Sequence, residues 1–324
     1  MPGVIPDDQL RLQLEAVEVV GARVDEVVET LHREPLPLPT WDDPPILPGR
    51  TAEVAEYMLL INAVNFSYWN DPGIPLWGVD LKGRWWPDAI GLYGCFSRAL
   101  GRDPRWLRGD FLAGLPRDRF DEAFEGTGPL PMARARHRIL VEVGEALHAT
   151  WSDRFVHLLE EARGDAVRAV ELLTTTVPPF HDARELRGSP VLFQKRAQLG
   201  VAMIAGRFGG RSWGDLRRLK ELTVFADYML PRVLRGLGVL AYRDDLAFRV
   251  DRELPIGEGE PAEVEIRLGT LIATERIVAA LRAGRPGLPP RPEVDAARLD
   301  HWLWRAGFER PGLQPFHRTR TTAY

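Results

Sequence analysis

The chain has 324 residues, 45% of them hydrophobic and 27% charged, the balance of an ordinary soluble globular protein with enough apolar mass for a large core. Forty-two Lys and Arg against 46 Asp and Glu leave a formal net charge of −4, which argues against wholesale binding to a nucleic-acid backbone but leaves room for a local basic pocket around one phosphate. Cys95 stands alone, so neither an intrachain disulfide nor a Cys-based zinc site can form, and a reducing compartment is expected. No apolar run reaches the ~18 residues of a membrane span, and the first residues lack the basic-then-apolar pattern of a signal peptide; a cytoplasmic protein is expected.

Residues 7–33 place Leu10, Leu14, Val17, Val20, Val24, Val27 and Leu31 at three- and four-residue steps, which predicts an amphipathic helix capped by Asp7 or Asp8. Prolines between Pro35 and Pro48 end it, and residues 34–50 read as an extended connection. A second helix is expected from Ala52 to about Asn70, with Asn62, Asn65 and Trp69 on one face. Such a face suits a planar polar ligand or a purely structural network. The Trp-, Gly- and Pro-rich stretch to Tyr93 suggests short strands. Helical patterns then dominate: one over residues 134–150, one capped by Ser152 and one capped by Asp165.

Ser189-Pro190 reads as a helix start, giving a helix from Pro190 to about Ala205 that is apolar nearly all round except for a stripe of Gln194, Lys195 and Gln198. A lysine there needs an anionic partner, either a protein carboxylate or a ligand phosphate. The stretch Val224 to Leu234 holds a single acid, Asp227, between Phe225 and Tyr228 and ahead of Pro231. It is either a helix cap or a reagent. The helix from about Ala262 to Ala283 puts Glu275 on its apolar side, where an acid must be paired or hydrogen-bonded, and Glu263 with Arg267 reads as an ordinary surface pair. A Gly/Pro-rich break precedes a last helix with Asp300 and Trp304 one turn apart. The ending Pro315-Phe316-His317-Arg318 and its Thr/Arg sequel is either a frayed terminus or a phosphate ligand.

Strand-like alternation is sparse, so the expected fold class is mostly α, multi-helical with at most a few short strands, as one unit or two closely packed lobes. The seven histidines form no His-Glu-x-x-His pair, and neither a Gly-x-Ser-x-Gly elbow nor a Gly-x-x-x-x-Gly-Lys loop occurs. Gly236-Leu237-Gly238 is too little for a dinucleotide fingerprint. What remains is acid chemistry with a phosphate clamp.

Seven segments in order carry a family resemblance: Asn65-Phe66-Ser67-Tyr68-Trp69, Arg136-His137-Arg138-Ile139-Leu140, Lys195-Arg196-Ala197-Gln198, Phe225-Ala226-Asp227-Tyr228 with Leu230-Pro231, Glu263-Val264-Glu265-Ile266-Arg267, Leu299-Asp300 with Leu303-Trp304, and Pro315-Phe316-His317-Arg318. The chain resembles the queuosine salvage proteins, hydrolases that release the base queuine from queuosine 5′-monophosphate. The resemblance implies a fold similar to helix-hairpin-helix DNA glycosylases, with Asp227 as catalytic carboxylate and no metal or cofactor. It further implies Glu275 or Asp300 at the guanine-like edge of the base, Phe225, Tyr228, Trp69 or Trp304 stacked on its ring, and Lys195, His317 and Arg318 at the 5′-phosphate. Two alternatives stand beside it: a glycosidase of another modified nucleotide, and a non-catalytic queuine carrier. Action on intact tRNA or DNA is disfavoured by the charge.

Overall fold

The computed structural model describes residues 5–324 and is mostly α-helical, with three small antiparallel strand pairs among those residues. In chain order the elements are β1 (Val17–Val19), α1 (Gly21–His32), α2 (Ala52–Ala63), β2 (Gly78–Leu81), β3 (Arg84–Pro87), α3 (Asp88–Arg102), α4 (Gly109–Ala113), α5 (Arg117–Ala123), α6 (Ala133–Thr150), α7 (Phe155–Ala162) and α8 (Ala166–Thr176). They continue with β4 (Ala183–Leu186), β5 (Ser189–Leu192), α9 (Lys195–Phe208), α10 (Met229–Gly236), β6 (Leu240–Tyr242), α11 (Asp244–Asp251), α12 (Pro261–Ala283) and α13 (Ala296–Glu309). Two compact units divide them. Of the described residues, the first takes 5–39, 182–195 and 220–321, and the second 40–181, 196–219 and 322–324.

The first unit is organised by α12, a 23-residue helix whose Val264, Ile266, Leu268, Leu271, Ile277 and Leu281 are all fully buried. Each such side chain contributes about 1.5–3 kcal/mol on leaving water. Around α12 lie α1, α10, α13 and the β1–β6 pair, in which Val17 faces Tyr242 and Val19 faces Leu240. At the α10–α13 crossing a Cβ on Gly307 would lie 2.3 Å from Met229 Sδ, so glycine is what allows the approach.

The helix expected over residues 7–33 begins only at Gly21. Upstream, the Glu265 carboxylate on α12 accepts the N–H groups of Glu15, Ala16 and Val17 at 2.8, 2.6 and 3.2 Å, and Val17–Val19 joins β6. Donors captured in this way cannot serve a helix, and the β-branched run suits a strand. Asp8 does cap, but only the short 3₁₀ turn Gln9–Arg11. Ser189-Pro190 likewise starts no helix. Arg187 and Gly188, both at positive φ (49° and 80°), form the two-residue turn of a β4–β5 hairpin with Pro190 opposite Glu185. The helix begins at Lys195, after Gln194 in a left-handed conformation (φ 52°), so Gln194 is not part of a helical stripe.

In the second unit α2 ends at Ala63, short of the expected Asn70. The reason is the fully buried Arg136 of α6, whose guanidinium takes the carbonyls of Val64, Phe66 and Ser67, groups a continuing helix would use internally. It also lies over the Phe66 ring at 4.3 Å and the Tyr68 ring at 4.8 Å. The α7 start is held by Glu56, which accepts the Val156 N–H at 3.1 Å, rather than by Ser152, which sits at φ 47°. Asp165 caps α8 as expected, accepting the Arg168 N–H at 3.0 Å. Among the described residues no helix is long and apolar enough to cross a membrane, and no group of three His, Cys, Asp or Glu side chains is placed to hold a metal ion.

Candidate active site

The first unit gathers the largest share of the chemistry-bearing residues around the loop before α10. Phe225 and Ala226 are buried, whereas Asp227 and Tyr228 keep some exposure. Asp227 Oδ1 accepts two backbone N–H groups, from Met229 at 2.7 Å and Leu230 at 3.1 Å. Both bonds fall on one oxygen; Oδ2 accepts none among the described residues. The residue is therefore a cap with its other oxygen uncommitted, and the two sequence readings of Asp227 are compatible. Burial pushes its carboxyl above the ordinary aspartate value, against the opposing pull of Lys195, the two N–H groups and Arg267.

Asp300, on α13, is 9% exposed and accepts the Phe225 N–H on Oδ1 at 2.8 Å. Burial first, then the negative charge of Asp227, drive its carboxyl well above the usual range, with Lys195 opposing. Two acids and one lysine thus act on one another here. Adjacent carboxylates cannot both ionise cheaply, so Asp300 is the one biased towards its neutral acid.

Lys195, 5% exposed, opens α9, and its N–H points to Asp182 Oδ2 at 3.4 Å. Asp182 pairs with Arg267 in full burial, at 3.1 and 2.6 Å. Glu263 lies 3.8 Å from the same guanidinium, so the expected surface pair of Glu263 and Arg267 is buried on both sides. Although burial acts to raise the Asp182 carboxyl, Arg267 and the Lys195 N–H more than offset it and hold the group below its ordinary value.

The terminal segment is not frayed: His317, Thr319 and Thr321 are each 1% exposed. Burial, with Arg267 adding to it, lowers His317 to about 3, so at neutral pH the ring is uncharged and offers one N–H instead of a cation. Arg318 pairs with Glu253 at 2.5 Å. The Phe316 ring packs against Tyr228, next to Asp227, with centroids 4.7 Å apart and planes tilted by 37°; the sequence reading gave this aromatic no role.

Of the remaining expected residues, Trp304 and Glu275 belong to the first unit. Trp304 is half-buried one turn beyond Asp300, its ring edge-on to Phe308 at 4.9 Å. Glu275, also half-buried, has a carboxyl raised by burial, with Arg282 opposing and Asp7 reinforcing; these are the charges acting on it, and Asp227 is not among them. Asn65 and Trp69 belong to the second unit, beyond the end of α2. Asn65 Nδ2 donates to Asn62 Oδ1 at 3.0 Å and Tyr93 Oη at 2.8 Å, and Tyr68 Oη donates to Asn65 Oδ1 at 3.0 Å.

The model of the family described as "queuosine salvage protein" matches residues 47–324. A relative from Sphaerobacter thermophilus is 34% identical over 313 residues, 96% of this chain and 94% of its own. Others from Nematostella vectensis (26%, covering 94% and 92%) and Mus musculus (28%, covering 83% and 81%) are similar along most of their length. All three are described as queuosine 5′-phosphate N-glycosylase/hydrolase.

Proposed function

We infer the activity from one premise, that the chain belongs to the queuosine salvage protein family: it is an N-glycosyl hydrolase that cleaves queuosine 5′-phosphate to queuine and ribose 5-phosphate. The observation that carries the reading at residue level is Asp227, with Oδ1 fixed by two N–H bonds, Oδ2 uncommitted, and Lys195 acting on its charge. Cleavage of an N-glycosidic bond builds positive charge on the ribose, and a rigid carboxylate at C1′ stabilises that transition state or attacks it before water completes hydrolysis.

Queuine is a 7-deazaguanine and lacks the N7 that a purine glycosidase protonates. Its departure has to be eased by hydrogen bonds to the guanine-like edge and by stacking. We assign the edge to Asp300, the acid beside Asp227, with Glu275 as the other acid candidate. The ring is assigned to Phe225, Tyr228 and Trp304. The 5′-phosphate falls to Lys195 and Arg318, with His317 contributing an N–H. Binding energy from the remote phosphate can be spent on holding C1′ against the acid. The whole chain is taken as one hydrolase unit with a fold related to helix-hairpin-helix DNA glycosylases, acting in the cytoplasm on the nucleotide and not on intact nucleic acid.

One observation favours a second reading: Asp227 already serves as the cap of α10, so its presence is accounted for without chemistry. On that reading the chain is a queuine carrier. Incubation with queuosine 5′-phosphate, with free queuine followed by mass spectrometry, separates the two. Many turnovers per chain are expected of the hydrolase, and tight binding without release would leave the carrier.

A further inference from the structure

The Asp182–Arg267 ion pair touches the backbone on both sides of the candidate site. Arg267, in the first third of α12, donates Nη1 and Nη2 to the two Asp182 oxygens at 3.1 and 2.6 Å, and Nε to the Ala226 carbonyl at 3.1 Å. That carbonyl belongs to the peptide leading into Asp227, so the bond fixes the plane from which Asp227 projects. The guanidinium is clamped from a third direction by the Phe193 ring at 3.8 Å.

Asp182 holds the lysine side. Its carbonyl accepts the N–H groups of Phe193 and Gln194 at 2.9 and 3.2 Å, its N–H donates to Gln194 Oε1 at 2.9 Å, and its carboxylate receives the Lys195 N–H at 3.4 Å. These bonds hold Gln194 at φ 52°, a left-handed conformation that a residue with a Cβ adopts at a cost. Strain retained immediately before Lys195 indicates that the direction of the lysine is being imposed.

A buried ion pair is a poor stabiliser, because desolvation offsets its Coulomb energy; fixing one arrangement out of several is its better-attested use. The fork geometry matters too, since a planar guanidinium presents a matched pair of N–H groups to the two carboxylate oxygens and Nε to a third acceptor in one fixed arrangement, which an ammonium does not. We propose that Asp182 and Arg267 are positioning residues that hold Asp227 and Lys195 in register, linking the acid to the lysine through the Ala226 carbonyl and the Phe193–Lys195 turn. This inference rests on Asp227 being the catalytic acid. The positive charge of Arg267 also favours the ionised form of Asp227, so Arg267 tunes the acid as well as placing it.

The test compares wild type with Arg267→Lys and with the charge-free double variant Asp182→Leu/Arg267→Met. Three readouts are needed: steady-state kinetics on queuosine 5′-phosphate, thermal unfolding, and the carbon-13 titration of the Asp227 carboxyl, assigned by its loss in Asp227→Asn. Arg267→Lys is expected to lower kcat about 10²-fold with KM within about twofold, the signature of a misplaced acid. The double variant is expected to unfold at or above the wild-type temperature, to remain as slow, and to titrate Asp227 at higher pH. A double variant that recovers both stability and kcat would make the pair purely structural and overturn the proposal, as would an unmoved Asp227 titration in both folded variants. Should the wild type itself release no queuine, the proposed function fails. The Asp227 titration then decides the positioning role alone.

Discussion

Asp300 Oδ1 accepts the Phe225 N–H at 2.8 Å, two residues before Asp227, and the Asp227 charge reinforces burial in raising the Asp300 carboxyl. Between the unfolded value and the raised folded one, the folded state therefore keeps a proton at Asp300 that the unfolded chain has released. The stability this brings is complete below the unfolded aspartate value of about 3.9 and is lost as pH rises through the raised folded value. Asp300→Asn keeps an oxygen for the Phe225 N–H and has nothing to ionise. It is expected to raise the unfolding temperature at about pH 8 and to raise it by less at about pH 5. Equal gains at both pH values would contradict the assignment.

Asp227→Asn retains an acceptor for the Met229 and Leu230 N–H groups, so stability should change by less than about 1 kcal/mol, whereas Asp227→Ala should cost about 0.5–2 kcal/mol through the lost cap. Denaturant titration of the two variants checks this.

Lys195 acts on both acids. Lys195→Met is expected to move the acidic limb of the pH–kcat/KM profile upwards, because an ionised Asp227 loses its cation. It should also narrow the preference for queuosine 5′-phosphate over the nucleoside. If wild type turns over nucleoside and nucleotide equally well, the phosphate role of Lys195 is wrong.

Gly307→Ala places a methyl where Met229 Sδ now lies, at 2.3 Å, and so pushes α13 from α10. A destabilisation of about 1–3 kcal/mol is expected in urea. Pairing it with Met229→Ala should recover part of the loss, and failure to do so would locate the strain elsewhere.

How much of this was legible in the sequence depended on how far each cause lay along the chain. The mostly helical architecture and the span of α12 followed from local periodicity, and the Asp227 turn from its Pro231. What failed was decided at a distance. Glu265 takes the N–H groups of residues some 250 positions away and turns the middle of an apparent helix into β1. Arg136, about 70 positions on, removes the carbonyls that would have carried α2 through Asn65 and Trp69. Glu263 and Arg267 at i and i+4 looked like a solvated pair because spacing does not say which side of a helix is covered. Arg267 in truth joins Asp182, 85 positions away, and nothing local marks Asp182 as its partner. The one local sign at the hairpin was Arg187-Gly188, outweighed in the sequence by the Ser-Pro that follows it.

The most direct test of the account is turnover of queuosine 5′-phosphate by wild type and Asp227→Asn side by side, with queuine and ribose 5-phosphate quantified together. Equimolar products are expected from wild type and a rate at least about 10²-fold lower from Asp227→Asn, with substrate still bound. Equal release by the two proteins would remove Asp227 from the chemistry and return it to its place as the cap of α10.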